Sequence, residues 1–346
     1  MKGVLTMEKY INEIIELLKV AKMRVLTSIN TAMVYTYYEI GKIIVNQEQK
    51  GKNRAEYGKT VLKQLSKELT RKFGKGYSIT NLKEIRKFYL IFSKDEIGQP
   101  LVGLFEKMPK TSDGRVFVLS WTHYMQLIRI KNSDERRFYE IEAYKNNWSK
   151  RELARQYNSS LYERLLLSRN KEKVLELSQK GQIFDKPSDV IKDPYVLEFL
   201  NLKEDDSYSE KDFETKIIDK LQDFLLELGR GFTFVQRQMR LSFNEQHYYA
   251  DLVFYNRLLK CFVVIDLKIG KIQHQDIGQM QMYVNYFDRY VKLPEENKTI
   301  GILLCKEKDD SLVQLTLPED NEQIFASRYE TILPSKEEFI KLINDE

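Results

Sequence analysis

The sequence has few of the residues that form covalent or metal cross-links. It contains two cysteines and three histidines in 346 residues. Cys261 and Cys305 each lie in an apolar run, which predicts two buried thiols and no disulfide framework, as in a reducing cytoplasm. Because His123, His247 and His274 are scattered along the chain, the sequence predicts neither a histidine-rich zinc site nor a histidine–metal active site.

Long apolar runs are also absent. No stretch of about 18 apolar residues occurs, so neither a membrane span nor a membrane partner is expected. The first residues are interrupted by charges every few positions, which favours an amphipathic helix over a signal peptide. Hydrophobic residues still make up 42% of the chain. The chain can therefore bury real cores, and its length allows two domains of ordinary size.

Positive charge is concentrated in one part of the chain. The net charge is only +5, but residues 50–94 contain thirteen lysines and arginines against three glutamates. Phosphate backbones are the usual partners of such a surface, so this stretch is predicted to bind nucleic acid. The alternative is a solvated helix face without a ligand.

The N-terminal half of the sequence has the periodicity of helices. Apolar residues recur there at spacings of three and four, and helices resume at Ser120 after a connector over 95–118. We therefore expect a helical domain over 1–170. It would bind nucleic acid; the alternative is a protein-interaction module that makes homo-oligomers.

Part of this domain resembles a helix-turn-helix in outline. A helix over 57–73 and the turn GKGYS precede a second helix, which Ser78 is predicted to cap. Lys83, Arg86 and Lys87 lie on that second helix. They are the candidate contacts to nucleic acid in this half of the chain.

The C-terminal part of the sequence has the pattern of an α/β domain. Residues 171–207 are predicted to be a linker with a connecting helix, the acidic stretch LKEDDSYSEKD around 202–212 marks the link to the second domain, and that domain is predicted over 208–346. A helix over 213–228, ending at Gly229, precedes three strand-like segments, a helix over about 275–289 and a fourth strand. This order predicts a mixed central sheet flanked by helices.

Three charged residues converge in this predicted sheet. Asp251 ends an alternating run, and Asp266 and Lys268 follow fifteen residues later on an otherwise nearly apolar strand. Residues i and i+2 of a strand share a face, and the short loop NRLLK allows a hairpin to bring Asp251 alongside. Burying these charges would cost several kcal/mol each, so a metal ion or a salt-bridge network has to offset them.

Such a trio suits metal-dependent hydrolysis of a phosphodiester. Carboxylate oxygens bind Mg²⁺ or Mn²⁺, and the ion neutralises the phosphate and lowers the pKa of a bound water. Asp251 and Asp266 are therefore the predicted metal ligands, with the backbone carbonyl of Leu267 as a further one. Lys268 would hold the water and stabilise the developing charge. The alternative is a structural salt bridge.

These residues resemble the PD-(D/E)XK nuclease motif, with two departures. Ala250 stands where the motif has proline, and Asp266 replaces the more usual glutamate, which shortens that ligand by one methylene. Gln279 and Tyr283 resemble the QxxxY element of RecB-like nucleases, and their spacing of four puts them on one helix face. The resemblance implies that both side chains look towards the site and position DNA or the metal.

The resemblance also implies further site residues. Such domains place a glutamate beside the metal on their first helix, and Glu214 is the candidate, with Glu227 as the alternative. Arg237, Gln238 and Arg240 precede the first motif carboxylate. They are candidate contacts to DNA; a solvated strand face is the alternative.

The resemblance extends over nearly the whole chain. The segments FLLELGRGFTFVQRQ, DLVFYNRLLKCFVVIDLKIGKI, NLKEIRKFY and WSKRELARQ are similar to those of the YhcG-type family of bacterial proteins. That family pairs an N-terminal helical domain with a restriction-endonuclease-like domain. The resemblance implies a bacterial, cytoplasmic nuclease. Together with the predicted carboxylate site, we therefore expect a Mg²⁺-dependent hydrolase whose substrate is DNA in preference to RNA. The alternative is a non-catalytic nucleic-acid-binding or regulatory protein that retains the nuclease fold.

Overall fold

The structure is a computed structural model and describes residues 31–48, 54–94, 110–167, 177, 180–182, 184, 186–202, 208–243 and 245–332. The chain forms two compact units, Met1–Leu153 with Ser178–Lys180, and Ala154–Leu177 with Gly181–Glu346. Within the described part of the chain, no helix is long and apolar enough to cross a membrane. The predicted N-terminal amphipathic helix and most of the predicted connector over 95–118 lie outside the described residues.

The first unit is helical in its described residues. Its helices are α1 (31–48), α2 (Arg54–Phe73), α3 (Ile79–Phe92), α4 (Trp121–Leu127) and α5 (Ser133–Lys145). Ser78 caps α3 as predicted, since its side chain accepts a hydrogen bond of 3.2 Å from the backbone N–H of Asn81. An aromatic cluster centred on Phe88 fills the core, where Tyr38 and Phe117 pack against its ring.

The second unit contains six strands and several helices. Its helices are α6 (Lys150–Asn158), which begins in the first unit, α7 (Leu161–Leu167), α8 (Glu210–Asp219), α9 (Leu221–Leu228), α10 (His274–Tyr286) and α11 (Asp310–Thr316). Short 3-10 turns span Pro187–Val190 and Glu198–Leu200, and a π-helical turn, Phe287–Val291, follows α10. The strands are β1 (Tyr195–Val196), β2 (Phe232–Phe243), β3 (Gln246–Asn256), β4 (Cys261–Lys271), β5 (Ile300–Glu307) and β6 (Ile324–Glu330).

The six strands form one mixed sheet in the order β1-β6-β5-β4-β3-β2. β2, β3 and β4 are antiparallel neighbours, whereas β5 is parallel to β4 and to β6. Both faces of the sheet are covered: α8 and α9 contribute buried side chains on one face and α10 on the other. The predicted mixed sheet flanked by helices is confirmed, and β1, β6 and α11 are additions to it.

The helix predicted over 213–228 is wrong as a single element. The chain forms α8 and α9 instead, because Lys220 leaves the helical conformation with φ −116° and ψ 29°. The apolar stripe nevertheless continues across the break, since Phe213 and Phe224 both pack into the same core. The predicted end at Gly229 is confirmed by its φ of +104°, a conformation that glycine adopts at no steric cost.

A buried ion-pair network joins α6 and α7 to the rest of the second unit. Both carboxylate oxygens of Glu227 are paired, one with Arg164 and the other with Arg155 at 3.2 Å. The backbone N–H of Val196 also donates to Glu227 at 3.0 Å. Burial opposes ionisation, but Arg164, Lys192 and Arg155 outweigh it and lower the pKa of Glu227 to about 2. Glu227 is thus committed to holding the fold.

Replacing Glu227 by glutamine should destabilise the second unit in a pH-dependent way. Removing one partner of a buried ion pair costs about 3–5 kcal/mol. Because the folded pKa is depressed, the contribution of Glu227 is present above its ordinary pKa of 4.5 and is lost as pH falls towards 2. Urea unfolding midpoints of wild type and Glu227→Gln should therefore differ most above pH 5 and converge in acid. The exposed Glu319→Gln is the control, and a difference that stays constant between pH 6 and pH 3 would contradict this role.

Candidate active site

The two motif carboxylates, Asp251 and Asp266, lie at a fork in the central sheet, the point where β3 and β4 stop pairing with each other. β3 pairs with β4 as far as Leu252 and Ile265, and beyond that point β3 continues with β2 while β4 continues with β5. Asp251 is the next residue on β3, and Asp266 is the next on β4. The backbone N–H of Leu267 donates to Oδ2 of Asp251 at 2.8 Å. The carboxylate of Asp251 is therefore fixed at the fork, and Asp266 lies at the matching position on the neighbouring strand.

Asp266 is a buried carboxyl group whose ionisation is strongly perturbed. The residue is 3% exposed. Burial and the nearby charge of Asp251 raise the pKa of Asp266 to about 7, although Lys268 acts in the opposite direction. Two carboxylates that repel each other in this way hold a proton that a divalent cation could displace.

Lys268 lies beside Asp266, as the strand periodicity predicts. Its Nζ is 2.9 Å from Oδ2 of Asp266, 3.7 Å from Asp276 and 4.0 Å from Glu210. Burial opposes protonation, but these carboxylates, Asp266 foremost, raise the pKa of Lys268. Lys268 therefore carries its positive charge next to the carboxyl group of Asp266.

Glu214 is connected to the site through the side chain of Gln238. The amide nitrogen of Gln238 donates to Glu214 at 2.6 Å and to Oδ1 of Asp251 at 2.9 Å. Arg237 forms an ion pair of 2.9 Å with the other oxygen of Glu214. Two consecutive residues of β2 reach one carboxylate because Gln238 has a φ of +44°, which breaks the alternation of a regular strand. Nothing in the sequence pattern of β2 indicates this conformation.

Gln279 and Tyr283 hold the backbone of β3 beside the fork. The amide of Gln279 donates to Oη of Tyr283 at 2.6 Å, and that hydroxyl donates to the backbone carbonyl of Tyr249 at 2.8 Å. Tyr249 is two residues before Asp251. Burial and the charges of Asp266 and Asp251 raise the pKa of Tyr283, so its hydroxyl keeps the proton that it donates.

The remaining candidate contacts to nucleic acid lie on two surfaces. On α3 of the first unit, Lys83 and Lys87 are exposed, whereas Arg86 forms an ion pair of 2.6 Å with Glu48. On β2 of the second unit, Arg240 is exposed. The charges of Lys83 and Lys87 thus face solvent, whereas the charge of Arg86 is paired with a carboxylate.

Both halves of the chain match known families. Residues 188–343 match the family described as the YhcG PDDEXK nuclease domain, and residues 13–164 match the DUF1016 N-terminal domain. A relative from Escherichia coli (strain K12), named "Putative nuclease YhcG", is 40% identical over 338 residues, which cover 93% of this chain and 90% of the relative. The chain belongs to the YhcG family. The family resemblance and the fold class predicted from the sequence are therefore confirmed.

Part of this YhcG-family chain is similar to solved structures. A repair endonuclease from Pyrococcus abyssi is 18% identical over 38% of this chain and 50% of its own, with a TM-score of 0.25. A complex of EndoMS with double-stranded DNA is 14% identical over 39% of this chain and 51% of its own, with a TM-score of 0.27. The matched segments span about half of those chains.

The side chains at the fork fit a hard divalent cation. Oδ2 of Asp266 is buried and accepts no hydrogen bond, although Lys268 lies beside it. Among the described residues, no three His, Cys, Asp or Glu side chains form a cluster that could hold an ion unaided. A ligand set of two carboxylates completed by a backbone carbonyl and waters is one that Mg²⁺ accepts, because it keeps several of its waters. At the fork of this YhcG-family protein, Asp251 and Asp266 are the two carboxylates that such a set would need.

Proposed function

We propose that this protein is a nuclease that hydrolyses phosphodiester bonds, with DNA as its substrate and Mg²⁺ or Mn²⁺ as its cofactor. The observation that carries the proposal is the fork in the sheet, where Asp251 and Asp266 meet beside the ammonium group of Lys268. The family match to a PDDEXK nuclease domain supports the same chemistry.

Each residue at the fork has a defined task in this proposal. Asp251 and Asp266, with the carbonyl of Leu267, would hold the cation, which when bound would supply Lewis-acid stabilisation of the phosphate. Lys268 is held by Asp266 and orients the attacking water, and it stabilises negative charge that develops on the phosphate oxygen. Proximity and electrostatics then account for the catalysis, since the protein itself forms no covalent bond.

Glu214 and Gln238 complete the site in this proposal. Gln238 holds Glu214 and Asp251 at one amide nitrogen, which fixes the direction of the Asp251 carboxylate. Glu214 is 2% exposed, and its Oε1 accepts no hydrogen bond, although Arg237 lies 2.9 Å away. Glu214 can therefore join the cation directly or act on it through Gln238. Gln279 and Tyr283 act by holding β3 in place.

The first unit is proposed to bind nucleic acid through the basic residues of α2 and α3. The helix-turn-helix outline and the exposed Lys83 and Lys87 support this role. Homo-oligomerisation through the same unit is the alternative. A cytoplasmic location is proposed because Cys261 and Cys305 are free and buried.

A substrate panel tests the proposed activity. The full-length protein is incubated with single-stranded, duplex and branched DNA and with matching RNA, in Mg²⁺, Mn²⁺ or EDTA. We expect cleavage of DNA that depends on the metal and is absent with Asp266→Asn from a parallel preparation. Binding without cleavage under every condition would instead identify a non-catalytic nucleic-acid-binding protein.

Charge reversal of Lys83 and Lys87 tests the first unit. Lys83→Glu/Lys87→Glu should weaken DNA binding, and each lost phosphate contact should reduce the slope of log affinity against log salt by about 0.9. Arg86 is left unchanged because it pairs with Glu48. Lys131→Glu/Lys150→Glu, which alters two exposed lysines elsewhere, is the matched control. Equal binding by both double variants would favour the protein-interaction role of this unit.

A further inference from the structure

We propose that the ribbon formed by β2 and β3 beyond the fork binds a single-stranded segment of nucleic acid next to the scissile phosphate. The ribbon runs from Gln238 and Asp251 to its tip at Phe243 and Gln246. This inference rests on the proposed nuclease activity and adds to it the place and the form of the bound substrate.

One face of the ribbon continues directly from the catalytic carboxylate. Arg240 lies opposite Tyr249, and Ser242 lies opposite His247. Tyr249 and Asp251 are two residues apart on β3, so their side chains share a face at a separation of about 7 Å. Arg240, Ser242 and His247 lie on this face as well, because the imidazole of His247 forms hydrogen bonds with the side chains of both Arg240 and Ser242.

The opposite face of the ribbon is anchored in the core. Leu241 and Ala250 are buried and belong to the same hydrophobic cluster as Ile272, just before α10, and Ile277 in the first turn of α10. The backbone of Tyr249 is in addition held by the hydroxyl of Tyr283. The exposed face is thus a supported platform, and a supported platform loses little conformational entropy when it binds a ligand.

The exposed face combines a ring with a positive charge. Tyr249 is 48% exposed although it lies within a paired strand. Arg240 makes its contacts with the ring nitrogens of His247, and no carboxylate within the described part of the chain forms an ion pair with it. Arg237, by contrast, is paired with Glu214. Arg240 therefore keeps a net positive charge for a phosphate.

These two features favour an unpaired strand over a duplex. An exposed aromatic ring stacks on a base only where the base is free of its neighbours and its partner, and such stacking tolerates any sequence. An arginine on the same face meets the phosphate beside that base. A strand that lies along this face would pass from His247 over Tyr249 and bring its next phosphate to Asp251.

Fluorescence anisotropy with a short oligonucleotide tests the platform. Binding of single-stranded DNA by the full-length protein is measured in Ca²⁺, in the Lys83→Glu/Lys87→Glu background so that the first unit does not mask the result. Relative to that double variant, adding Tyr249→Ala should weaken binding about five-fold or more. Adding Tyr249→Phe should leave the affinity nearly unchanged, because phenylalanine retains the ring. Arg240→Gln should reduce the salt slope by about 0.7.

Tyr290→Ala is the matched control, because Tyr290 is a 64% exposed tyrosine on another element of the same unit. It should leave binding unchanged. If Tyr249→Ala binds single strands as wild type does while the wild-type protein cleaves DNA, the platform is refuted and the nuclease proposal stands. An equal loss of duplex and single-strand binding refutes the preference for an unpaired strand. A wild-type protein that neither binds nor cleaves any nucleic acid overturns the proposed function itself.

Discussion

Asp251→Asn should reduce metal-dependent cleavage by at least about 10³-fold, which is at or beyond the loss seen when a single charge-stabilising donor is removed. The amide has nearly the shape of the carboxylate but carries no charge. Its oxygen can still accept the hydrogen bond from the backbone N–H of Leu267, so the fork of the sheet should survive. Its amide nitrogen then faces the amide nitrogen of Gln238, and that hydrogen bond is lost. What the variant loses is one of the two anionic ligands.

Two measurements on Asp251→Asn separate a lost ligand from a lost fold. Calorimetry should show weaker Mn²⁺ binding, while the melting temperature stays close to that of wild type. The pKa of Asp266 should fall, because the charge of Asp251 is one of the causes that raise it. Asp320→Asn, which alters an exposed aspartate, should match wild type in every respect. Mn²⁺ affinity that Asp251→Asn leaves unaltered would rule out this residue as a ligand.

Lys268→Ala should cost at least about 10²-fold in the single-turnover rate, with DNA affinity in Ca²⁺ near that of wild type. The ammonium group is held by Asp266, Asp276 and Glu210, so it is in place before the substrate arrives. A group preorganised in this way lowers the barrier without strengthening the ground-state complex.

A purely structural role for Lys268 predicts a different result. If the lysine only neutralises carboxylates, its removal leaves buried charge unpaired and costs about 3–5 kcal/mol of stability. Asp266 can avoid this cost by taking up a proton, since its pKa is already about 7. A raised folded pKa stabilises the protein at low pH, and that contribution is lost as pH rises through the pKa.

Melting temperatures at two pH values therefore accompany the rate measurement. Lys268→Ala should melt close to wild type at pH 6, where Asp266 is largely protonated in both proteins. At pH 8 it should melt somewhat lower, because the charge of Lys268 no longer offsets the cost of ionising the buried Asp266. Lys271→Ala, which removes a 59% exposed lysine from the same strand, is the control and should change neither quantity greatly. Full activity of Lys268→Ala, or a collapsed melting temperature at both pH values, would show that the residue does not act in catalysis.

Periodicity and turn chemistry explain which parts of the fold could be predicted. The strands around Asp251 and Asp266 and the helix of Gln279 are long and strongly patterned, so their type and order follow from the sequence. β1 consists of two residues, Tyr195 and Val196, and it exists only because it pairs with β6. Its pairing depends on contacts distant in sequence, which local pattern does not encode.

The site was predictable to a smaller extent than the fold. Strand alternation places Asp266 and Lys268 together, but alternation also predicts that Arg237 and Gln238 point to opposite faces. The positive φ of Gln238 reverses that expectation, and a glutamine carries no sequence signal for such a conformation. The role of Glu210 beside Lys268 was missed as well, although its spacing of four from Glu214 puts both on one face of α8.

Metal-dependent catalysis by the two carboxylates is tested most directly by the single-turnover rate of cleavage of single-stranded DNA. That rate is measured as a function of Mn²⁺ concentration for metal-stripped wild type and for Asp266→Asn. Asparagine imitates the protonated form of this buried carboxyl group, so the variant should fold. We expect that wild type shows no cleavage in EDTA and that its rate rises to a plateau with Mn²⁺, whereas the rate of Asp266→Asn stays flat over the same range. Cleavage by wild type in EDTA, or a plateau for Asp266→Asn at the same rate and Mn²⁺ concentration as wild type, would contradict that expectation.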